Sequence, residues 1–129
     1  MRLTGHADPA PLRGLEPMPR ETVLFRQGPS AFSHRRMSEL ALDAATDGLV
    51  ILGLSLDAAC VATAMRGHEL GLRVSLVEDT LAADPLEGVA AETARAVLLG
   101  VASPYVGRLT AAQLMVSASS SDQLHVAND

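Results

Sequence analysis

The sequence predicts an α/β fold: a three-layer, Rossmann-like parallel sheet with helices on both faces. Three observations carry this expectation. Apolar runs of strand length alternate with longer runs of helix-forming residues along most of the chain. The apolar runs are continuous rather than alternating, LVILGL at 49–54 above all, which is the pattern of strands buried on both faces. The core also has to be built without bulk. Hydrophobic residues make up 48% of the chain, but aromatics only 2% with no Trp, so Leu, Val, Ile and Ala must fill it.

The 129 residues suffice for one domain with a single core. A net charge of −5 disfavours a nucleic-acid or anionic-membrane surface. Every basic residue is Arg, so no chemistry that needs an amine side chain can run here. The single cysteine allows no intrachain disulfide and fits a reducing cytoplasm. No apolar stretch has the length or flanks of a signal peptide or a membrane span.

The elements follow in order. Residues 1–21 hold four prolines and no hydrophobic period, and read as an irregular arm. His6 and Asp8 lie close there without a third ligand, so no metal site is expected. The α/β domain then runs over 22–116. TVLFR at 22–26 is a short strand, and QGPSAF is a turn broken at Gly28-Pro29. Ser33 or Ser30 is placed to cap a helix running through MSELALDAA, which ends at Asp47-Gly48. LVILGL is the next strand. Helix-formers extend from Ala58 to Leu70, with Gly71 as the stop. RVSLVED at 73–79 is a strand, and a helix spans 89–99. YVGRL at 105–109 is the last strand, and Thr110 caps a closing helix. The Ser-rich tail, 117–129, reads as disordered. Met37, Met65 and Met115 are expected to fill the core.

In parallel sheets, ligands bind beyond the carboxyl ends of the strands. Arg26, the segment Ser55–Cys60 and Asp79 fall at such ends. Ser55 and Asp57 read first as caps for the helix that follows. His34 and His68 lie on different helices with no third partner in view, so neither a metal pair nor a triad is expected.

Four pieces, TVLFRQGPSAF, GLVILGLSLDAACVATAM, ELGLRVSLVEDT and YVGRLTAAQL, together resemble the isochorismatase-like family of cysteine hydrolases in order and spacing. The resemblance runs from about Leu12 to Met115. Members of that family typically carry a strand ending in Lys before Ser-Ala-Phe. They also carry an apolar strand ending Gly-Val-x-Thr-x-x-Cys-Val-x-x-Thr-Ala. The resemblance implies a sheet in the order 3-2-1-4-5-6 and a mechanism that uses an Asp base, a supporting Lys and a Cys nucleophile. A thiolate needs a proton acceptor beside it and a cation to favour it, so the trio makes chemical sense.

Set against that pattern, none of the three is expected in this chain. Counted forward from Gly53 or back from Thr63, the nucleophile position is Ala59, and Cys60 falls on the motif's valine. One residue on a helix is a rotation of roughly 100°, which turns Cys60 toward the core. Lys is replaced by Arg26, whose fork is not a substitute for a compact ammonium. No hydrophobic Asp-bearing strand is found in residues 1–21. The family's first two strands, about 60 residues of two strand–helix units, have no counterpart here.

Losing them leaves the LVILGL edge open, an aggregation hazard unless covered. TVLFR moving in, or a homo-oligomer or partner subunit, is expected to cover it. A third outcome is a truncated product that folds poorly.

The leading reading is a pseudoenzyme that binds or assembles. Its candidate ligand residues are Arg26, Ser30, Phe32, Ser55, Leu56 and Ala59, with no cofactor and no metal. One alternative is an active hydrolase of C–N or vinyl-ether bonds using Cys60 with Arg26 and Asp57 or Asp79. Another is a non-functional gene remnant.

Overall fold

The computed structural model describes residues 2–3, 13–14, 16–43, 48–53, 56–120 and 126–128. In chain order the elements begin with strand β1 (Arg2–Leu3), strand β2 (Phe25–Arg26) and helix α1 (Arg35–Leu42). Strand β3 (Gly48–Leu52), helix α2 (Ala58–Glu69) and strand β4 (Arg73–Val77) form the centre. Helix α3 (Ala91–Ala102), strand β5 (Gly107–Leu109), helix α4 (Ala111–Ser120) and strand β6 (Val126–Asn128) complete it. The main sheet has the order β5-β4-β3-β6 and every pairing in it is parallel. This is the α/β, Rossmann-like architecture the alternating pattern predicts.

The strand sequences explain the burial. Leu49 lies opposite Val74 and Ile51 opposite Leu76 in the β3–β4 ladder. These four join Cys60 and Ala64 of α2 and Leu99 and Ala102 of α3 in one apolar cluster. Val50 and Val77 project to the other side by strand alternation and are buried as well, so the apolar runs are continuous. Leu76 has no exposed surface, and burying a side chain of that size stabilises by about 2 kcal/mol.

Helix α2 lies close to the sheet because residue 67 is glycine. A Cβ there would stand 2.8 Å from Val74 Cγ2, closer than packed carbons sit. The helix ends where Gly71 takes φ +83°, the left-handed stop that glycine adopts without strain. Its carbonyls are closed off by Leu70 N–H donating to Arg66 O and Leu72 N–H donating to Gly67 O. At α4, Thr110 Oγ1 accepts from Gln113 N–H while Gln113 Oε1 accepts from Thr110 N–H, a reciprocal capping box.

Several expectations are corrected. The strand read at 22–26 contracts to Phe25–Arg26, and it pairs with Arg2–Leu3 rather than joining the main sheet. Val23 and Phe25 are 48% and 43% exposed, so this segment has no deep face to bury. Arg2–Leu3 thus supply a strand within the segment read as an irregular arm. The cap of α1 is neither Ser33 nor Ser30. His34 Nδ1 accepts from Arg36 N–H at 3.2 Å. Ser30 instead caps the one-turn 3-10 helix Ala31–Ser33, and Ser33 Oγ accepts from Gln27 and Gly28 N–H.

The tail differs too. Helix α4 continues through Ser117–Ser120, and Val126–Asn128 pair with β3 from Val50 to Leu52. The β3 edge is therefore lined by the chain's own carboxyl-terminal residues, which none of the expected arrangements anticipated. Met115 is 71% exposed rather than in the core, whereas Met37 and Met65 pack against the core cluster. Among the described residues, no helix is long and apolar enough to cross a membrane.

Candidate functional site

The carboxyl ends of β2, β3 and β4 bring together the loop after Arg26, the start of α2 and the turn after β4. The start of α2 is fixed by Asp57, an extended residue whose Oδ1 accepts from Cys60 N–H at 2.9 Å. That bond satisfies one of the donors every helix leaves open at its first turn. The helix then carries Ala59 and Cys60 in different directions. Cys60 has no exposed surface and packs within the cluster of Leu49, Ile51, Leu56 and Leu76. Ala59 lies on the stripe shared with Thr63 and Gly67, since residues four apart on a helix share a face.

That stripe is joined to the Ser-Ala-Phe loop by one buried hydroxyl. Thr63 Oγ1 donates to Ala59 O and accepts from Ala31 N–H, both at 2.8 Å. The loop is further shaped by Ser30 Oγ, which accepts from Phe32 N–H at 3.1 Å. Phe32 packs its ring against the core cluster. Arg26 is buried at 4% exposure, and its guanidinium donates to the Pro29 carbonyl. Its charge is thereby turned toward the backbone of its own loop. Leu56 is 1% exposed, and its N–H donates to Ala82 O at 2.7 Å, fastening the loop before α2 to the loop after β4. Ser55 lies outside the described residues.

The turn after β4 is held from α3. Arg95 donates to Glu78 O at 2.6 Å and to Leu81 O at 3.0 Å. Thr80 Oγ1 donates to Val77 O and accepts from Gly53 N–H at the end of β3. Asp79 Oδ1 accepts from Ala111 N–H at 2.8 Å, satisfying the first donor of α4. Glu78 pairs with Arg108 at 2.6 Å.

Of the residues singled out from sequence, Arg26, Ser30, Phe32, Leu56, Asp57 and Ala59 thus lie on the connected loops and the helix start. Asp57 and Asp79, the carboxylates a Cys60 hydrolase would recruit, are each engaged at a helix amino terminus. His34 caps α1, and His68 lies against Tyr105 with ring centroids 5.4 Å apart. Among the described residues, no group of three or more His, Cys, Asp or Glu is placed to hold a metal ion.

Sequence reasoning missed the roles of Thr63 and Arg95. Thr63 served only as a landmark for counting. An arginine in the middle of the apolar helix segment AETARAVLL was the available signal for Arg95.

No curated protein and no solved structure matched the chain. A family model described as the isochorismatase domain matches residues 3–106. The match begins at Leu3, ahead of the first residues that carried the resemblance, and ends at Val106, just before β5. It covers most of the chain, and with the parallel sheet and the loop–helix arrangement after β3 in place, the chain belongs to the isochorismatase family.

Proposed function

We propose that this chain is a non-hydrolytic member of the isochorismatase family that acts by binding. The carrying observation is the register of α2, where the position the family uses for its nucleophile holds the methyl of Ala59. The thiol of Cys60, one residue on, has no exposed surface. A nucleophile must reach its substrate, and the thiolate is the reactive form. Two further facts support the reading. Arg26 directs its guanidinium to the Pro29 carbonyl, and Asp57 and Asp79 accept from helix backbone N–H groups.

In this reading a small molecule sits at the carboxyl ends of the strands, beside Arg26, Ser30, Phe32, Leu56 and Ala59. Assembly with a second copy or a partner subunit is what the sequence predicts to cover the β3 edge, which Val126–Asn128 line instead; light scattering of the purified protein measures assembly directly. A reducing, cytoplasmic setting agrees with the single thiol.

The test of the central reading is turnover. The purified chain is incubated with a panel of primary amides and enol ethers, beside a Cys60→Ala variant. No turnover above buffer is expected from either. Hydrolysis by the unaltered chain that disappears in Cys60→Ala would overturn the proposal in favour of a working thiol.

A further inference from the structure

A second concavity lies at the opposite end of the sheet. The amino ends of β4 and β5, with the segments that follow α2 and α3, line an open, shallow cleft of about 420 Å³. Pockets that take small molecules run to about 300–1,000 Å³ and combine an apolar wall with a few polar groups. Here Leu72, Val74 and Val106 contribute apolar surface, and His68, Arg73 and Tyr105 contribute the polar groups.

The charge in this cleft runs against that of the chain. Asp and Glu outnumber Arg by 15 to 10 in the sequence, yet none of the described residues that line the cleft is acidic. Arg73 takes part in none of the ion pairs among the described residues, which use Arg35, Arg66 and Arg108. Three carbonyls of the last turn of α2 are engaged by the residues that follow it. Arg66 O accepts from Leu70 N–H, His68 O from Gly71 N–H and Gly67 O from Leu72 N–H. The edge-to-face contact of His68 with Tyr105, at an interplanar angle of 65°, holds the phenol ring against the imidazole.

We propose that this cleft binds a small monocarboxylate with an apolar body. The Arg73 guanidinium takes the carboxylate, since its planar fork matches two carboxylate oxygens. Leu72, Val106 and the Tyr105 ring pack on the body. The site lies at the end of the strands opposite the family's nucleophile position, so it stands whether or not the chain hydrolyses anything.

The composition supplies the readout. Tyr105 is the only tyrosine and the chain has no tryptophan, so intrinsic fluorescence reports on this cleft alone. The full chain is titrated with cyclohexanecarboxylate, which does not absorb at the wavelengths used, and with cyclohexanecarboxamide as a neutral counterpart of the same shape. A saturable change with the carboxylate is expected, with binding at least about tenfold weaker for the amide and for Arg73→Gln, the loss of one charge-assisted contact. Three results would each overturn the proposal: no saturable change with the carboxylate, equal affinity for the amide, or undiminished affinity in a folded Arg73→Gln. Should that variant misfold, the carboxylate–amide comparison on the unaltered protein decides alone.

Discussion

The two ends of the parallel sheet treat their polar side chains in opposite ways. At the carboxyl end, Asp57, Thr63, Asp79, Thr80 and Arg95 all bond to backbone, each joining or capping a loop or helix. At the amino end, Arg73 stands outside the ion pairs of the described residues, and His68 and Tyr105 contact each other by their rings. At the carboxyl end these polar side chains are engaged in holding the loops and helix starts together. At the amino end the Arg73 guanidinium lies outside the ion pairs formed among the described residues. A shared fold does not by itself assign a function to either end of the sheet.

This contrast can be broken by substitution, because removing a structural bond costs stability and removing an idle group does not. The largest effect is expected for Arg95→Met, which leaves the Glu78 and Leu81 carbonyls without their cationic donor. A loss of about 3 kcal/mol is expected, the upper end for bonds to a charged group, read as a lower midpoint in urea unfolding. Thr63→Val keeps the shape but strands the Ala31 N–H, and about 2 kcal/mol should be lost in the same measurement. Asp57→Ala removes the cap of α2 and should cost about 1 kcal/mol. Arg73→Gln, at the other end, should leave the midpoint within about 0.5 kcal/mol of the unaltered chain. If Arg73→Gln destabilised as much as Arg95→Met, the division between the two ends would fall.

How far the sequence could be read follows the same division between side-chain pattern and backbone pairing. Helix α2 was legible in full, because an Asp cap, a run of helix-formers and a Gly stop each leave a residue-level mark. The central strands were legible because both faces are buried: Leu49, Val50 and Ile51 form an unbroken apolar run, and Val74, Leu76 and Val77 form one interrupted only by Ser75. Strand β6 left no such mark. It joins β3 through backbone bonds in a polar segment, and a hydropathy pattern carries no information about that. The contraction of TVLFR has the converse cause: Val23 and Phe25 give the pattern of a strand, yet the segment has no deep surface to cover. At the site, counting turned Cys60 toward the core, where it has no exposed surface, but the roles of Thr63 and Arg95 depend on carbonyls and N–H groups brought close only by folding. His34 as a cap was equally invisible, since histidine is not among the residues preferred there.

The most direct test is the chemistry of the one thiol. Native protein is exposed to iodoacetamide, and modification of Cys60 is followed by mass spectrometry across a urea series. A thiol enclosed in the core reacts only through opening of the structure, so modification should be negligible without denaturant and rise with the unfolded fraction. Alkylation of the folded chain in the absence of urea, at or above the rate of a free cysteine, would contradict the account and return Cys60 to the role of nucleophile.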